Sequence, residues 1–537
     1  KIAQQPILSA VGGGRWASMD FDEVANYGPS WANTVSDLIL ADEPVKALNA
    51  AKEAFVRCLR SGDARGKIFA LHALAKVHLA KFEINDTNEV AEKALAELLK
   101  CPDDTLEGAV MHTIAKTNKD LCRFEDALEL AQEALRKFQS SSSKVGEAAV
   151  LNTIARIHLN RGRRQDSVKV AKQSLAMFRD CEERHGESEA LHTMVRASLA
   201  MGRYEEALRL ANEMVGIYEG GTDLDKHVAA LLVVADVRAA MEEHDEAVEV
   251  ATKAVELFDG VDKRQQANAT RRLADACFAK GDDTDGWMYA KEALELYRGE
   301  GHSKGEAGML CEIAKAHFSS GSFQEGVLIA DEGAKLCREA GFRQLLADTQ
   351  LAAARGRLDV EATGAAQEQQ LNWKARQAGK EALAIYQDIG DLRGQMRAHN
   401  TLALAFMSYG NVLEGRAKAK RAVELSQMLG DKTAEGTNLL LVAQSRFHDN
   451  KDEANRLATI AYRLIREGGD QKTMKEAEEV VDAIREDPKD KKTEKERKAG
   501  GASLAETQAS KMDMTLDFDM MKTRAVYFWG FTSRSTR

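Results

Sequence analysis

The sequence predicts an all-α fold, a right-handed superhelical solenoid of about eleven helical hairpins. Three observations predict it. The fragment FEDALELAQEALRKF at 124–138 returns as YEEALRLANEMVGIY at 204–218 with its apolar and small positions unmoved. A column of small residues recurs along most of the chain at nearly constant spacing, and glycine-bearing polar turns divide each period into two helical patterns. Self-similarity at a fixed period means stacked units that bury a continuous core only together.

The second helix of each period supplies the first column: Ala51, Ala91, Ala131, Ala171, Ala211, Ala251, Ala290, Ala330, Gly379, Ala419 and Ala458, with steps of 40 residues except two of 39 and one of 49. In the quoted copy Ala127, Ala131, Ala134, Leu135 and Phe138 share one face by the i, i+4, i+7 rule. Alanine lets a neighbouring helix approach closely, and a large residue fills the space beyond. Tyr218, Phe258, Tyr297 and Tyr386 stand where Phe138 does. The first helix of each period has its own tight column: Ala75, Ala115, Ala155, Val195, Ala235, Ala274, Ala314, Ala354, Ala403 and Ala443. Turns such as NRGRRQ, AMGRYE and SSGSFQ join the two, glycine closing one helix and a polar residue opening the next. Proline is expected inside the array only at Pro102, between units.

These residues resemble the tetratricopeptide repeat family, a helix pair with small residues at the closest contacts and glycine at the turn. Trp31 resembles the family's helix-opening tryptophan; Gly162, Gly202, Gly281, Gly321 and Gly410 resemble its turn glycine, and Ala127, Ala207, Ala247 and Ala454 its second-helix alanine. The match spans about residues 29–467. It departs from the family pattern in the length of the unit, about 40 residues rather than 34, the excess lying in links such as SSSSKVGEA and IGDLRGQMRA. It also departs at His78, His158 and His317, which stand where the family has tyrosine and are expected to pack near the helix contact. The long unit resembles a subgroup found in cell-polarity and receptor-clustering adaptors, and the resemblance implies a scaffold or adaptor for protein binding.

Five segments follow: an N-terminal extension 1–28, the solenoid 29–469, a capping helix 470–486, a charged linker 487–511 and an acidic, aromatic segment 512–537. The 49-residue step falls inside one unit, at LDVEATGAAQEQQLNW, and is expected to produce a projecting loop or an extended helix. MDFD at 19–22 and LDFD at 516–519 echo each other outside the stack.

Composition bounds the function. The 537 residues carry 75 Lys and Arg against 85 Asp and Glu, a net charge of −10 that gives no global attraction for nucleic acid or anionic membrane. Nucleic acid is not an expected partner, and the seven residues AVYFWGF anchor too weakly for a membrane. Seven scattered cysteines without a C-x-x-C pair argue against disulfides and zinc, and suit the cytoplasm or another reducing compartment. The first residue, Lys1, leaves an upstream targeting segment open. Neither AVGGGRW nor GEGHSKGE completes a phosphate-binding loop, and H-E-x-x-H and G-x-S-x-G are absent, so no catalytic residue and no cofactor is expected.

The first helices are expected to line a concave groove. The position after each tight residue reads Lys76, Lys116, Arg156 and Arg196; the position three before it reads His72, His112, Asn152 and His192; both columns change at the next unit, to Asp236 and Leu232. A basic, hydrogen-bonding stripe of this kind suits an extended acidic peptide. The expected partner is a protein or peptide with an acidic segment, in an assembly of undetermined size. The alternative is a regulatory sensor autoinhibited by its own acidic C-terminal tail. No metal is expected, since helices 8–10 Å apart cannot bring His72, His112 and His192 within the ~2 Å a zinc ion requires. Protonation of these histidines below about pH 6.5 would strengthen capture of an acidic peptide.

Overall fold

The computed structural model describes residues 29–485, apart from 41–43, 82, 222, 259, 448 and 469–470. The N-terminal extension, the charged linker, the C-terminal segment and both acidic echoes lie outside the described residues. Within them are twenty-three helices and no strand. The chain divides into two compact units, Lys1–Met309 and Leu310–Arg537. In order the helices are α1 Ser30–Leu40, α2 Pro44–Ser61, α3 Ala64–Ala80, α4 Ile84–Leu98, α5 Asp104–Asp120, α6 Phe124–Ser140, α7 Lys144–Asn160, α8 Arg164–Asp180, α9 Arg184–Ala200, α10 Tyr204–Tyr218, α11 Leu224–Ala240, α12 His244–Glu256, α13 Lys263–Lys280 and α14 Asp283–Gly299. Then follow α15 Ser303–Ser319, α16 Phe323–Ala340, α17 Arg343–Asp359, α18 Ala365–Ile389, α19 Leu392–Ser408, α20 Val412–Leu429, α21 Lys432–Arg446, α22 Lys451–Gly468 and α23 Gln471–Arg485. The division between the units falls in α15.

Odd-numbered helices from α1 to α21 open the hairpins and even-numbered ones close them, which gives the eleven pairs expected. Each opening helix starts on a side-chain cap where the sequence provides one. Asp63 accepts from the Gly66 amide at 2.9 Å, and Asp103 caps α5 through Leu106 at 3.1 Å. Pro44 is a second proline inside the array and a correction to the expectation of one: it occupies the first position of α2, where its missing N–H costs nothing.

Packing follows the two columns. Ala75, Ala115 and Ala155 are fully buried on the opening helices, and Ala91, Ala131 and Ala171 on the closing ones. The links that lengthen each unit have a specific use. Phe138 packs its ring on Gly146, Phe178 on Gly186, Tyr297 on Gly305 and Tyr386 on Gly394, so that a Cβ at these glycines would lie 2.2–2.4 Å from the ring. Each aromatic closes one hairpin and each glycine opens the next, eight residues on. The long link thus carries a ring-in-notch joint between units.

In the first unit, successive opening helices touch one another, α3 with α5, α5 with α7, α7 with α9, α9 with α11 and α11 with α13. Successive closing helices make at most marginal contact. The layer whose members lie closer together is the inner arc of a curved stack, so the opening helices form its inner face.

The second unit contains the irregular step. The inserted residues form an extended helix: α18 is 25 residues long where its neighbours have 17 or 18, preceded by a short connection at 360–364. At the far end α23 packs on α22 and α21, with Ala477, Val480 and Val481 buried and Glu478 and Glu479 outward. No helix of the described residues is long and apolar enough to cross a membrane. The seven cysteines are free thiols.

Candidate functional site

The inner face of α3, α5, α7 and α9 is built on a polar ladder. His72 Nε2 lies 2.9 Å from Thr113 Oγ1, His112 Nε2 lies 2.7 Å from Thr153 Oγ1, and Thr193 Oγ1 donates to Asn152 Oδ1 at 2.8 Å. Each rung joins one opening helix to the next. Thr113 spends its own proton on the Ala109 carbonyl at 3.1 Å, so the His72 ring donates from Nε2. The sequence placed His72, His112 and Asn152 in the groove as ligands; the structure buries all three between helices. Buried polar groups must be bonded, and here the bonds fix the register of neighbouring units.

The cations stand beside this ladder. Lys76, Lys116 and Arg156 are half-buried and Arg196 is exposed. Four residues along a helix is a rotation of about 400°, so the position after the tight residue lies about 40° from the position three before it. That offset turns the imidazoles toward the adjacent helix and leaves the cations at the edge of the inner face.

His192 is half-buried and takes no threonine rung, because Val233 occupies the corresponding place on α11. Burial pushes its pKa down to about 3, and Arg196 and Arg156 push in the same direction. No ion pair with Arg196 is seen among the described residues, and the carboxylate of Glu189 on α9 accepts from Asn152 Nδ2 of α7 at 3.3 Å. The expected gain in capture below pH 6.5 is therefore corrected at His192, which stays neutral through that range.

The column turns acidic on α11 and α13, where Asp236 and Asp275 both pair with Arg272. Burial raises Asp236 while Arg272 opposes the rise. Burial works to lower Arg272, and Asp236 and Asp275 together outweigh it. The sequence reading stopped at Asp236, although the same column becomes basic again in the second unit, at Lys315 and Arg355. There each cation has an acid on its own helix: Lys315 with Glu312 at 2.9 Å, Arg355 with Asp359 at 3.6 Å.

The remaining histidine column is mixed. His78 is half-buried and lies 2.7 Å from Glu83, while burial lowers His158. His78, Glu83 and Asp86 bring one potential ligand atom each within 4.8 Å of the others. Glu83, however, is occupied by Lys81 at 2.5 Å and by His78, and its pKa falls despite its burial.

No family model and no curated protein matches the chain. Solved structures resemble it. A putative kinesin light chain of Podospora anserina with nearly identical TPR-like repeats is 18% identical, with a TM-score of 0.32 over 36% of this chain and 95% of that one. A STAND signal-transduction ATPase with a tetratricopeptide-repeat sensor from Pyrococcus horikoshii is 14% identical, with a TM-score of 0.43 over 66% of this chain and 54% of that one. The quorum sensor NprR from B. thuringiensis is 12% identical, with a TM-score of 0.37 over 75% and 99%. By its paired helices, their small-residue contacts and the recurrence of about 40 residues, the chain has a tetratricopeptide-like helical-hairpin fold with long units.

Proposed function

We propose that the chain is a non-catalytic protein-interaction scaffold whose first unit holds an extended acidic peptide along its inner face. One observation carries the reading: four cations, Lys76, Lys116, Arg156 and Arg196, occupy one repeat position on four successive helices that side-chain bonds lock in register. Carboxylates of an extended peptide recur every ~6.5–7 Å on one side of the chain, and helices in contact repeat at roughly 8–10 Å. A peptide running across the helices therefore meets a cation about every third residue. In this proposal the cations contact the ligand, His192 donates a neutral hydrogen bond beside Arg156 and Arg196, and His72, His112 and Asn152 hold the floor.

The test is binding of a fluorescent peptide of alternating Asp and Ser to the full chain, followed by anisotropy. Lys116→Glu with Arg156→Glu abolishes measurable capture, and rising salt weakens the wild type. Unchanged affinity in the double variant overturns the assignment. Deleting residues 487–537 separates the scaffold from the alternative, a sensor closed by its own acidic tail: a scaffold keeps its affinity, whereas a closed sensor gains it.

A further inference from the structure

The irregular step creates a surface of a different kind from the inner face. Trp373, Tyr409 and Leu413 are 54%, 50% and 74% exposed. They belong together. Asn372 donates to the Ala405 carbonyl at 3.0 Å and to Ser408 Oγ at 3.3 Å, which sets the start of α18 against the end of α19. One turn on, the Arg376 guanidinium stacks over Tyr409 at 4.5 Å and Phe406 at 5.5 Å. Trp373 lies three residues before Arg376 on the same side of α18, and Leu413 follows Tyr409 across the turn into α20.

Trp373 and Leu413 also hold one repeat position, six before the tight residues Gly379 and Ala419. On α6, α8, α10 and α12 this position is polar, at Glu125, Gln165, Glu205 and Asp245, while on α2 it is the exposed Val45. Further along, the outward faces of α18 and α20 end on exposed Lys380 and Lys420. The patch is thus apolar and aromatic at one end and cationic at the other.

The chain carries a sequence of matching character. Met512–Asp519, MDMTLDFD, alternates apolar and polar residues, with Met512, Met514, Leu516 and Phe518 on one side and Asp513, Asp517 and Asp519 on the other. Alternation at period two gives an extended segment one apolar and one anionic side. Residues 486–511 lie between it and α23, and a random coil of 26 residues spans about 25–30 Å. From α23 to α20 is three packing steps through α22 and α21, roughly 24–30 Å at 8–10 Å each. Reach and apolar pattern agree.

We infer that Met512–Asp519 docks on the outer face of α18 and α20, its apolar side on Trp373, Tyr409 and Leu413 and its aspartates toward solvent. The inference is independent of the peptide-binding reading, because the two surfaces share no residue. It leaves the inner face of the first unit open to a partner while the tail is fastened.

A photo-crosslinker tests it in the full chain, with p-benzoylphenylalanine in place of Phe518 and the products mapped by mass spectrometry. The expected adducts lie in residues 365–380 and 405–420. Trp373→Ala with Leu413→Ser, both at exposed sites, reduces them at least fivefold with an unchanged circular dichroism spectrum, while Lys116→Glu with Arg156→Glu leaves them intact. Adducts on α3, α5, α7 or α9, adducts whose yield scales with protein concentration, no adducts, or adducts indifferent to the Trp373 and Leu413 changes each overturn the docking. The peptide-binding proposal survives or fails on its own anisotropy measurement.

Discussion

The inner faces of the two units use the same residue types differently. In the first unit, Lys76, Arg156 and Arg196 have no acid three or four residues away on their own helices, and Asp120, four after Lys116, lies 3.4 Å from Lys119. In the second, Lys315 and Arg355 occupy the identical repeat position and each finds a carboxylate within one turn. Arg397 likewise meets Asp348 at 3.2 Å, which Tyr386 also approaches, its hydroxyl donating at 2.7 Å. In the second unit the carboxylate that spends the charge of Lys315 or Arg355 sits one turn away on the same helix.

Four outcomes break or sharpen this comparison, the strongest first. Charge reversal at Lys116 and Arg156 should cost about 3–5 kcal/mol of acidic-peptide affinity, taking each charge-assisted bond as roughly 1.5–3 kcal/mol. The equivalent reversal at Lys315 and Arg355 should change affinity less than about twofold, because those charges are already compensated. Equal losses in the two pairs of variants would erase the distinction between the units.

The joints offer a second contrast, now of similarity. Gly186→Ala and Gly394→Ala should each destabilise by about 1–3 kcal/mol in urea unfolding, since the added Cβ falls 2.2 Å from the rings of Phe178 and Tyr386. A cost confined to one unit would show that the joint matters in that unit alone.

Acid provides the third. His192 in the first unit is pushed down to about 3 and His399 in the second to about 4, each by burial first and neighbouring cations second. The unfolded chain protonates these rings below about pH 6.5 while the folded chain does not, so stability present above pH 6.5 is lost as pH falls toward 3–4. The loss is at most about 2 kcal/mol per ring at pH 5. His192→Gln should flatten that decline, and an unaltered slope would remove His192 from the account.

The smallest effect concerns turns. Glu242 holds a φ of 64° where the equivalent turns have Gly162 and Gly202. Glu242→Gly should stabilise by about 0.5–1 kcal/mol, the left-handed strain relieved less the added chain entropy of glycine. Thermal unfolding reads the difference.

Much of this was legible in the sequence, because close helix contacts demand small residues and small residues recur visibly. The pairing of helices and the added length at α18 both followed from spacing. The joints were hidden in plain view: Gly146, Gly186 and Gly394 lie in links that read as loop, and only the ring positions reveal a notch. The histidines misled for a geometric reason. Helical periodicity cannot separate a position facing a groove from one turned about 40° toward the next helix. The threonines at 113, 153 and 193 were the available signal, since a hydroxyl recurring beside a histidine or asparagine column provides it with a buried partner. The neutral state of His192 was not legible, for it depends first on burial and then on two arginines, one from the neighbouring helix.

The ladder has a mechanical corollary. Apolar contacts slide at small cost, whereas a directional bond at each step resists shear between neighbouring helices. Three bonded steps tie α3 through α9 against sliding, and Val233 stands on α11 where a fourth threonine would.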